Sequence, residues 1–165
     1  MEYIHTVDMP ERIKKIQSSG TKNIISHNAK NPQDKLKYLV VVIDEYSSLV
    51  NKASMMGKKI RDTFEKNLCN LIFTARSFGI HIVVATQYPT ANYVTSALKE
   101  NLPFRVSFRL LSHTGSQTIL DRSGAEDLLG MGDMLMMTAN DLLRLQGFFI
   151  SDEELIDFIE KKKKE

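Results

Sequence analysis

The chain has 165 residues, 42% of them hydrophobic and 25% charged, with a net charge of +2. That is one domain's worth of sequence with material for a core, and the charge is too small to argue for nucleic acid by itself, so any basic groove must be local. The one cysteine, Cys69, excludes a disulfide framework and fits a reducing compartment. No apolar run approaches a bilayer span, and Met1–Pro10 does not read as a signal peptide. The expected location is cytoplasmic, unless a segment outside this sequence anchors the protein.

Residues 1–37 read as polar and irregular, with one helix expected around Pro10–Ser18 and turns at Ser18-Ser19-Gly20 and Asn31-Pro32. The stretch Tyr38–Leu49, YLVVVIDEYSSL, is the most informative. Leu39–Ile43 is an unbroken Val/Ile/Leu run, which predicts a strand buried on both faces, as in a parallel sheet. It delivers Asp44 and Glu45 to its C-terminal end. In P-loop nucleoside-triphosphatases such a pair holds the magnesium shell with the first acid and polarises the attacking water with the second. Two acids in this position could instead cap the helix that follows, and the strand alone leaves both readings open. The matching phosphate cradle, G-x-x-x-x-G-K-[ST], occurs nowhere in the 165 residues.

Lys52–Phe78 is expected to be helical, in two pieces around Gly57, with Ile60, Phe64, Leu68, Leu71, Ile72 and Ala75 recurring at helical spacing. Gly79 reads as its stop. Ile80–Thr86 is a second buried strand, followed by Gln87 and Pro89. A helix around Asn92–Asn101, a strand at Phe104–Leu110 and a short helix over Ser116–Asp121 come next. Asp133–Met137 and Leu143–Ile150 read as late, paired strands. Ser151-Asp152-Glu153-Glu154 opens a last helix, its early acids and terminal lysines matching the helix dipole. Strands separated by helices predict an α/β fold with a mainly parallel sheet. Ligands sit beyond the C-terminal strand ends in such sheets, where Asp44, Glu45 and Gln87 converge.

Other features read as structural. Gly57-Lys58-Lys59 lacks the spacing and hydroxyl of a phosphate loop and follows the acidic strand. His5, His27, His81 and His113 show no metal spacing. Met131, Met134, Met136 and Met137 read as core filler. Lys161–Lys164 reads as a solvated helix end.

Several stretches together resemble the motor domain of the FtsK/SpoIIIE family of DNA translocases: VVVIDEYSSL (Val40–Leu49), ARSFGIHIVVATQYPT (Ala75–Thr90), NLPFRVSF (Asn101–Phe108), TILDRSGAEDLLGMGDML (Thr118–Leu135) and LRLQGFFISDEE (Leu143–Glu154). SSGTKNIISHN (Ser18–Asn28) also looks like the segment that precedes the family's acidic strand. The resemblance implies a partial RecA-like P-loop NTPase core lacking its P-loop strand. Residues 1–37 would precede the Walker B strand, and 38–165 would form the distal half of a single motor domain. It implies ATP and Mg2+ as cofactors, double-stranded DNA as partner, a hexameric ring in the complete motor, and a role in chromosome partition and cell division. Membrane attachment would come only through segments outside this sequence.

On that resemblance Asp44 would hold magnesium, Glu45 would activate water, and Gln87 would sense the γ-phosphate. Arg105 would act on a neighbouring subunit's nucleotide, with an ion pair as the alternative; Arg76 is a similar, weaker candidate, and Arg144 matches without an assignable role. Tyr88 and Gln117 stand where the family usually has arginine. Gly130 and Gly132 are expected to shape a turn into the strand beginning at Asp133. Ser112–Gln117 is a guess for DNA contact, to phosphate and blind to sequence. A winged-helix module reading DNA polarity would follow Glu165. Without a P-loop strand, 80–86 and 104–110 are expected to pair directly, borrow a strand, or leave the chain marginally stable. The isolated chain is expected not to hydrolyse ATP. The alternatives are an ATPase-dead ring subunit or DNA-binding module, or part of a related conjugation or secretion motor.

Overall fold

The computed structural model describes residues 4–163, so the last lysine of Lys161–Lys164 and the start of the Met1–Pro10 segment lie outside the described residues. The chain divides into two compact units, Met1–Leu102 and Pro103–Glu165.

The first unit is built on two parallel strands, β1 (Leu39–Ile43) and β2 (Ile80–Val84), in register from Leu39 opposite Ile80 to Ile43 opposite Val84. Helix α1 (Met9–Ser18) forms as expected, and α2 (Ile24–Lys30) adds a helix where irregular chain was expected. Its start is set by Asn23, whose side chain accepts from the Ser26 N–H at 2.9 Å. The long helical region breaks at Gly57 into α3 (Tyr46–Met55) and α4 (Lys58–Ala75). Leu68, Leu71 and Ala75 of α4 are buried, packing with Tyr46, Val50, Ile43, Ile80 and Met9. Ile60 is exposed, because it sits in the first turn of α4, outside that packed stretch. Helix α5 (Ser96–Asn101), capped by Thr95, closes the unit.

The expectation of a strand buried on both faces is overturned. β1 alternates: Ile43 is buried, whereas Val40 is 58% and Val42 64% exposed. Helices pack on the face carrying Leu39, Ile43 and Ile80, whereas on the other face Val40, Val42 and Val83 stay about half or more exposed. An unbroken apolar run thus encodes two faces, of which this chain covers one.

The second unit is an antiparallel sheet in the order β3 (Arg105–Phe108), β4 (Asp133–Met137), β5 (Leu142–Gln146). Strand β3 pairs with β4 rather than directly with β2, so the first of the three outcomes expected for 80–86 and 104–110 is not the one adopted. The late strands pair as expected, with β5 ending at Gln146, where the Gly147 N–H turns to the Gly132 carbonyl at 2.8 Å. Helix α6 (His113–Leu120) starts earlier than expected, because the Ser112 hydroxyl caps it by accepting from the Gly115 N–H. Leu120, Ala125, Leu128, Leu135 and Met137 form this unit's core. Of the methionines expected in the core, Met137 is buried, while Met131 stands almost fully exposed at φ 53 on the turn before β4. Helix α7 (Asp152–Lys163) ends the described chain.

Gly130 (φ 87) and Gly132 (φ 90) adopt the left-handed backbone expected of the turn. The turn delivers Asp133 into a bidentate pair with Arg144, at 3.0 Å (Nε to Oδ1) and 2.6 Å (Nη2 to Oδ2), while Oδ2 also accepts from the Leu129 N–H. This gives Arg144 the role the sequence left unassigned. The Arg144 hydrogen bond, helped by the Leu129 N–H, holds the Asp133 carboxyl down at about 2. A lowered carboxyl pKa adds stability that is complete above about pH 4 and fades as the pH falls toward that folded value. Thermal melts should therefore show Asp133→Asn less stable than wild type at neutral pH, with the gap closing between about pH 4 and pH 2. A gap independent of pH would exclude the ion pair as its source.

Candidate functional site

The C-terminal ends of β1 and β2 lie side by side, tied by the Ala85 N–H to the Ile43 carbonyl and the Tyr46 N–H to the Ala85 carbonyl, each 2.8 Å. Asp44 and Glu45 leave β1 at this rim, and Thr86 and Gln87 leave β2. Buried Tyr46, packed on Phe64, anchors α3 immediately behind the acids.

Glu45 occupies the N-cap of α3, so the capping role that the sequence left open is present. Its Oε1 accepts from the Ser47 hydroxyl, the Ser47 N–H and the Thr86 hydroxyl (2.8 Å). Its Oε2 accepts from the Gln87 N–H at 2.9 Å. The carboxylate thus bridges both strand ends. The Ser47 hydroxyl above all, with the Gln87 N–H and the Thr86 hydroxyl, keeps the carboxyl below its ordinary range against the opposing effect of burial, so it is ionised at neutral pH. A carboxylate offers about four acceptor sites. With Oε1 saturated, the remaining acceptor capacity is on Oε2, facing the Gln87 side. The cap and the chemical role use different oxygens and are compatible.

Asp44 is exposed and has no hydrogen bond or ion pair among the described residues. The Gln87 side chain is exposed likewise, its backbone engaged with Glu45. Magnesium is commonly held by one or two carboxylates plus substrate phosphates, and an unengaged carboxylate at a strand rim fits that role. No group of three acidic, histidine or cysteine side chains that could hold a metal by itself occurs among the described residues. The rim therefore fits the metal and water side of a nucleotide site. A phosphate cradle is not among the described residues: Gly57 leads directly into α4 with Lys58 as its first residue, and no glycine-rich turn opens a helix at the rim.

The other candidates fall elsewhere. Arg105 belongs to the second unit, where its Nη1 donates to Asp121 Oδ2 at 2.8 Å and its Nη2 lies 2.9 Å from the Met137 sulfur. Its buried Nε has no partner. Arg76 lies exposed on the 3-10 turn after α4. Gln117, with its amide nitrogen turned to the Asp121 carbonyl, spans that group and the Ser123 N–H at 3.3 Å each. Ser112–Gln117, guessed as a DNA-contacting loop, is instead the cap and first turns of α6. His81 stacks on Tyr38, in line with a structural role. Sequence reasoning missed Ser47 and Thr86, the two hydroxyls that lock Glu45. The signal was the serine two residues past the acid, a spacing at which a side chain can cap its own helix.

No protein-family model matches the chain. It is 38% identical over 161 residues to the DNA translocase SpoIIIE of Bacillus subtilis (strain 168), covering 90% of this chain and 19% of that protein. It is 42% identical over 125 residues to the DNA translocase FtsK of Haemophilus influenzae (strain ATCC 51907 / DSM 11121 / KW20 / Rd), covering 74% of this chain and 22% of that protein. The chain thus spans about a fifth of the length of the curated relatives it matches. Among solved structures it resembles the pCW3 conjugation coupling protein TcpA, in its monomer form with ATPγS, at TM-score 0.80 and 28% identity over 94% of this chain and 45% of that one. It shares the fold of the cytoplasmic domain of the Type VII secretion ATPase EccC of Thermomonospora curvata, at TM-score 0.78 and 22% identity over 93% of this chain and 18% of that one.

Proposed function

We propose that this chain, which belongs to the FtsK/SpoIIIE family of DNA translocases, supplies the water-activating and phosphate-sensing wall of an ATP-driven motor that moves double-stranded DNA. The observation that carries the reading is the Glu45 carboxylate, fixed across the ends of β1 and β2 with acceptor capacity left on Oε2. In this role Asp44 would hold Mg2+, since magnesium is commonly bound by one or two carboxylates together with substrate phosphates. Mg2+ bound with ATP neutralises charge on the transferred phosphoryl group. Glu45 orients and polarises the attacking water through Oε2, and the Gln87 amide, free to rotate, holds the same water or reads the γ-phosphate. Arg105 would have to exchange Asp121 for a phosphate to act in a neighbouring subunit; its present partners support the ion-pair role.

The grip on the β- and γ-phosphates comes, in this reading, from outside these 165 residues. The exposed valines of β1 and β2 support it, since a sheet face of this composition is normally covered. The complete motor is a ring, and the chain works in the cytoplasm. No helix among the described residues is long and apolar enough to cross a membrane. The likeness to a conjugation coupling protein supports a second reading, in which the same machinery moves DNA between cells.

Grafting tests the proposal. SpoIIIE of Bacillus subtilis with its matching segment replaced by this chain should hydrolyse ATP in the presence of duplex DNA, and Asp44→Asn in the graft should abolish that activity at ordinary Mg2+. A graft that turns over equally well with Asp44→Asn would refute the assignment.

A further inference from the structure

The strap of chain that leads from β2 to α5 carries Gln87, and it is pinned at its far end as well as at the rim. At the rim, Glu45 accepts from the Thr86 hydroxyl and the Gln87 N–H, and the Tyr88 N–H donates back to the Thr86 hydroxyl at 3.2 Å. At the far end, the Tyr93 hydroxyl donates to Asn51 Oδ1 at 2.8 Å, and Arg61 Nη2 donates to the Asn92 carbonyl at 2.9 Å. Asn51 lies on α3, the helix that Glu45 caps. At 1.5 Å per residue it stands about 9 Å along the axis from that cap. Arg61 lies on α4, where its Nε also pairs with Glu65 at 3.0 Å. The planar guanidinium fork lets one side chain serve both partners. Between its two ends the strap is folded on itself: the Thr90 N–H donates to the Tyr88 carbonyl at 2.9 Å, and the Tyr93 and Val94 N–H groups donate to the Thr90 carbonyl at 3.0 and 2.8 Å. The Tyr93 ring packs against the cluster of Ile43, Tyr46, Val50, Leu68 and Leu98.

A connecting loop is ordinarily among the most mobile parts of a fold. Held only at the rim, this one would pivot there, and the pivot would swing the Gln87 N–H and the Thr86 hydroxyl off the Glu45 carboxylate. The second attachment removes that freedom. Both ends are tied to α3, so Glu45 and the strap move as one body. A reacting group is held to within about 0.5 Å only when the residues around it are themselves locked. We propose that Tyr93, through Asn51, and Arg61 are positioning residues, which hold the strap bearing Gln87 against the Glu45 carboxylate from its outer end. The effect on turnover rests on the reading of Glu45 and Gln87 given above; the attachment itself does not.

Amide hydrogen exchange on the 165-residue chain tests the attachment. Tyr93→Phe keeps the packed ring and removes the hydroxyl; Arg61→Met keeps an apolar stem and removes the fork. Each should speed exchange of the Gln87 and Tyr88 amides about fivefold, the change that one hydrogen bond of typical net strength corresponds to, and the double variant should speed it further. The Ala85 amide, bonded to the Ile43 carbonyl at 2.8 Å, should exchange as in wild type. Asn51→Asp still accepts from the Tyr93 hydroxyl and should match wild type. Asn51→Leu should match Tyr93→Phe, and combining these two should add nothing, since both remove the same bond. In the grafted SpoIIIE, Tyr93→Phe should lower kcat about threefold or more with KM for ATP unchanged, and Asn51→Asp should keep both at wild-type values. Gln87 exchange unchanged in the double variant would overturn the proposal. So would exchange that rises equally at Ala85, or a graft whose kcat ignores both substitutions while Glu45→Gln still lowers it. Should the graft turn over equally well with Asp44→Asn, the nucleotide reading fails and the exchange result alone decides the attachment.

Discussion

Glu45→Gln in the grafted motor should lower the turnover rate about 10²–10⁴-fold, the range spanned by a positioned general base, while ATP affinity changes little. The amide is nearly isosteric and can still accept at one oxygen, so the bridge between β1 and β2 is damaged least by this substitution. What it removes is the negative charge at Oε2, the group left to act on water once Oε1 is saturated by Ser47 and Thr86. That charge matters when the water is polarised and contributes little to holding ATP, which separates the effect on turnover from the effect on affinity. Thr86→Val makes a sharper control. It keeps the charge and loses one of the hydrogen bonds that aim it, so turnover should fall by less than with Glu45→Gln. Equal loss of affinity and turnover in Glu45→Gln would place the residue in binding rather than in the chemical step.

Gly79→Ala should destabilise the first unit by about 2–4 kcal/mol, combining a left-handed backbone penalty with overpacking. Gly79 has φ 76 and terminates the 3-10 turn after α4. Its carbonyl accepts from the Leu39 N–H at 2.9 Å, the first rung between β2 and β1. A Cβ there would collide with Ile24 Cδ1 and sit 3.3 Å from both Ile24 Cγ2 and Tyr38 Cδ1. Ile24 is only 2% exposed, so its side chain has no open space to retreat into. The rung and the close contact fix where β2 begins, and therefore where Thr86 and Gln87 end up relative to Glu45. Urea unfolding should show a lower midpoint with an unchanged slope. A change within about 0.5 kcal/mol, ordinary for a surface site, would contradict this account of the turn.

The sequence was most legible where one local rule decides the outcome. The Ile80–Val84 strand, the helix stop at Gly79, the break at Gly57 and the Ser151 cap of α7 all follow from residue type and near neighbours. So did the meeting of Glu45 with Gln87 at the rim that also carries Asp44, because the two parallel strands pair in register to their last residues, Ile43 opposite Val84. It was least legible where the outcome depends on what lies above an element. The composition of Val40 and Val42 announces a buried face, and no local signal tells whether this chain or another segment covers it. Arg105 shows the same limit in charge: its type and position fit a finger, and only the fold reveals Asp121 within 2.8 Å. The Glu45 lock lay partly out of reach, since Ser47 is local but Thr86 arrives from 41 residues away.

In the proposed motor the rim carboxylates are necessary for ATP hydrolysis, and insufficient without a phosphate cradle, whose G-x-x-x-x-G-K-[ST] pattern occurs nowhere in these 165 residues. Steady-state phosphate release by the pure chain, supplied with Mg-ATP and duplex DNA, tests this most directly. No turnover above buffer is expected from wild type or from Glu45→Gln. Sustained hydrolysis by wild type that disappears in Glu45→Gln would contradict the account, because the chain would then be gripping and cleaving ATP with its own residues.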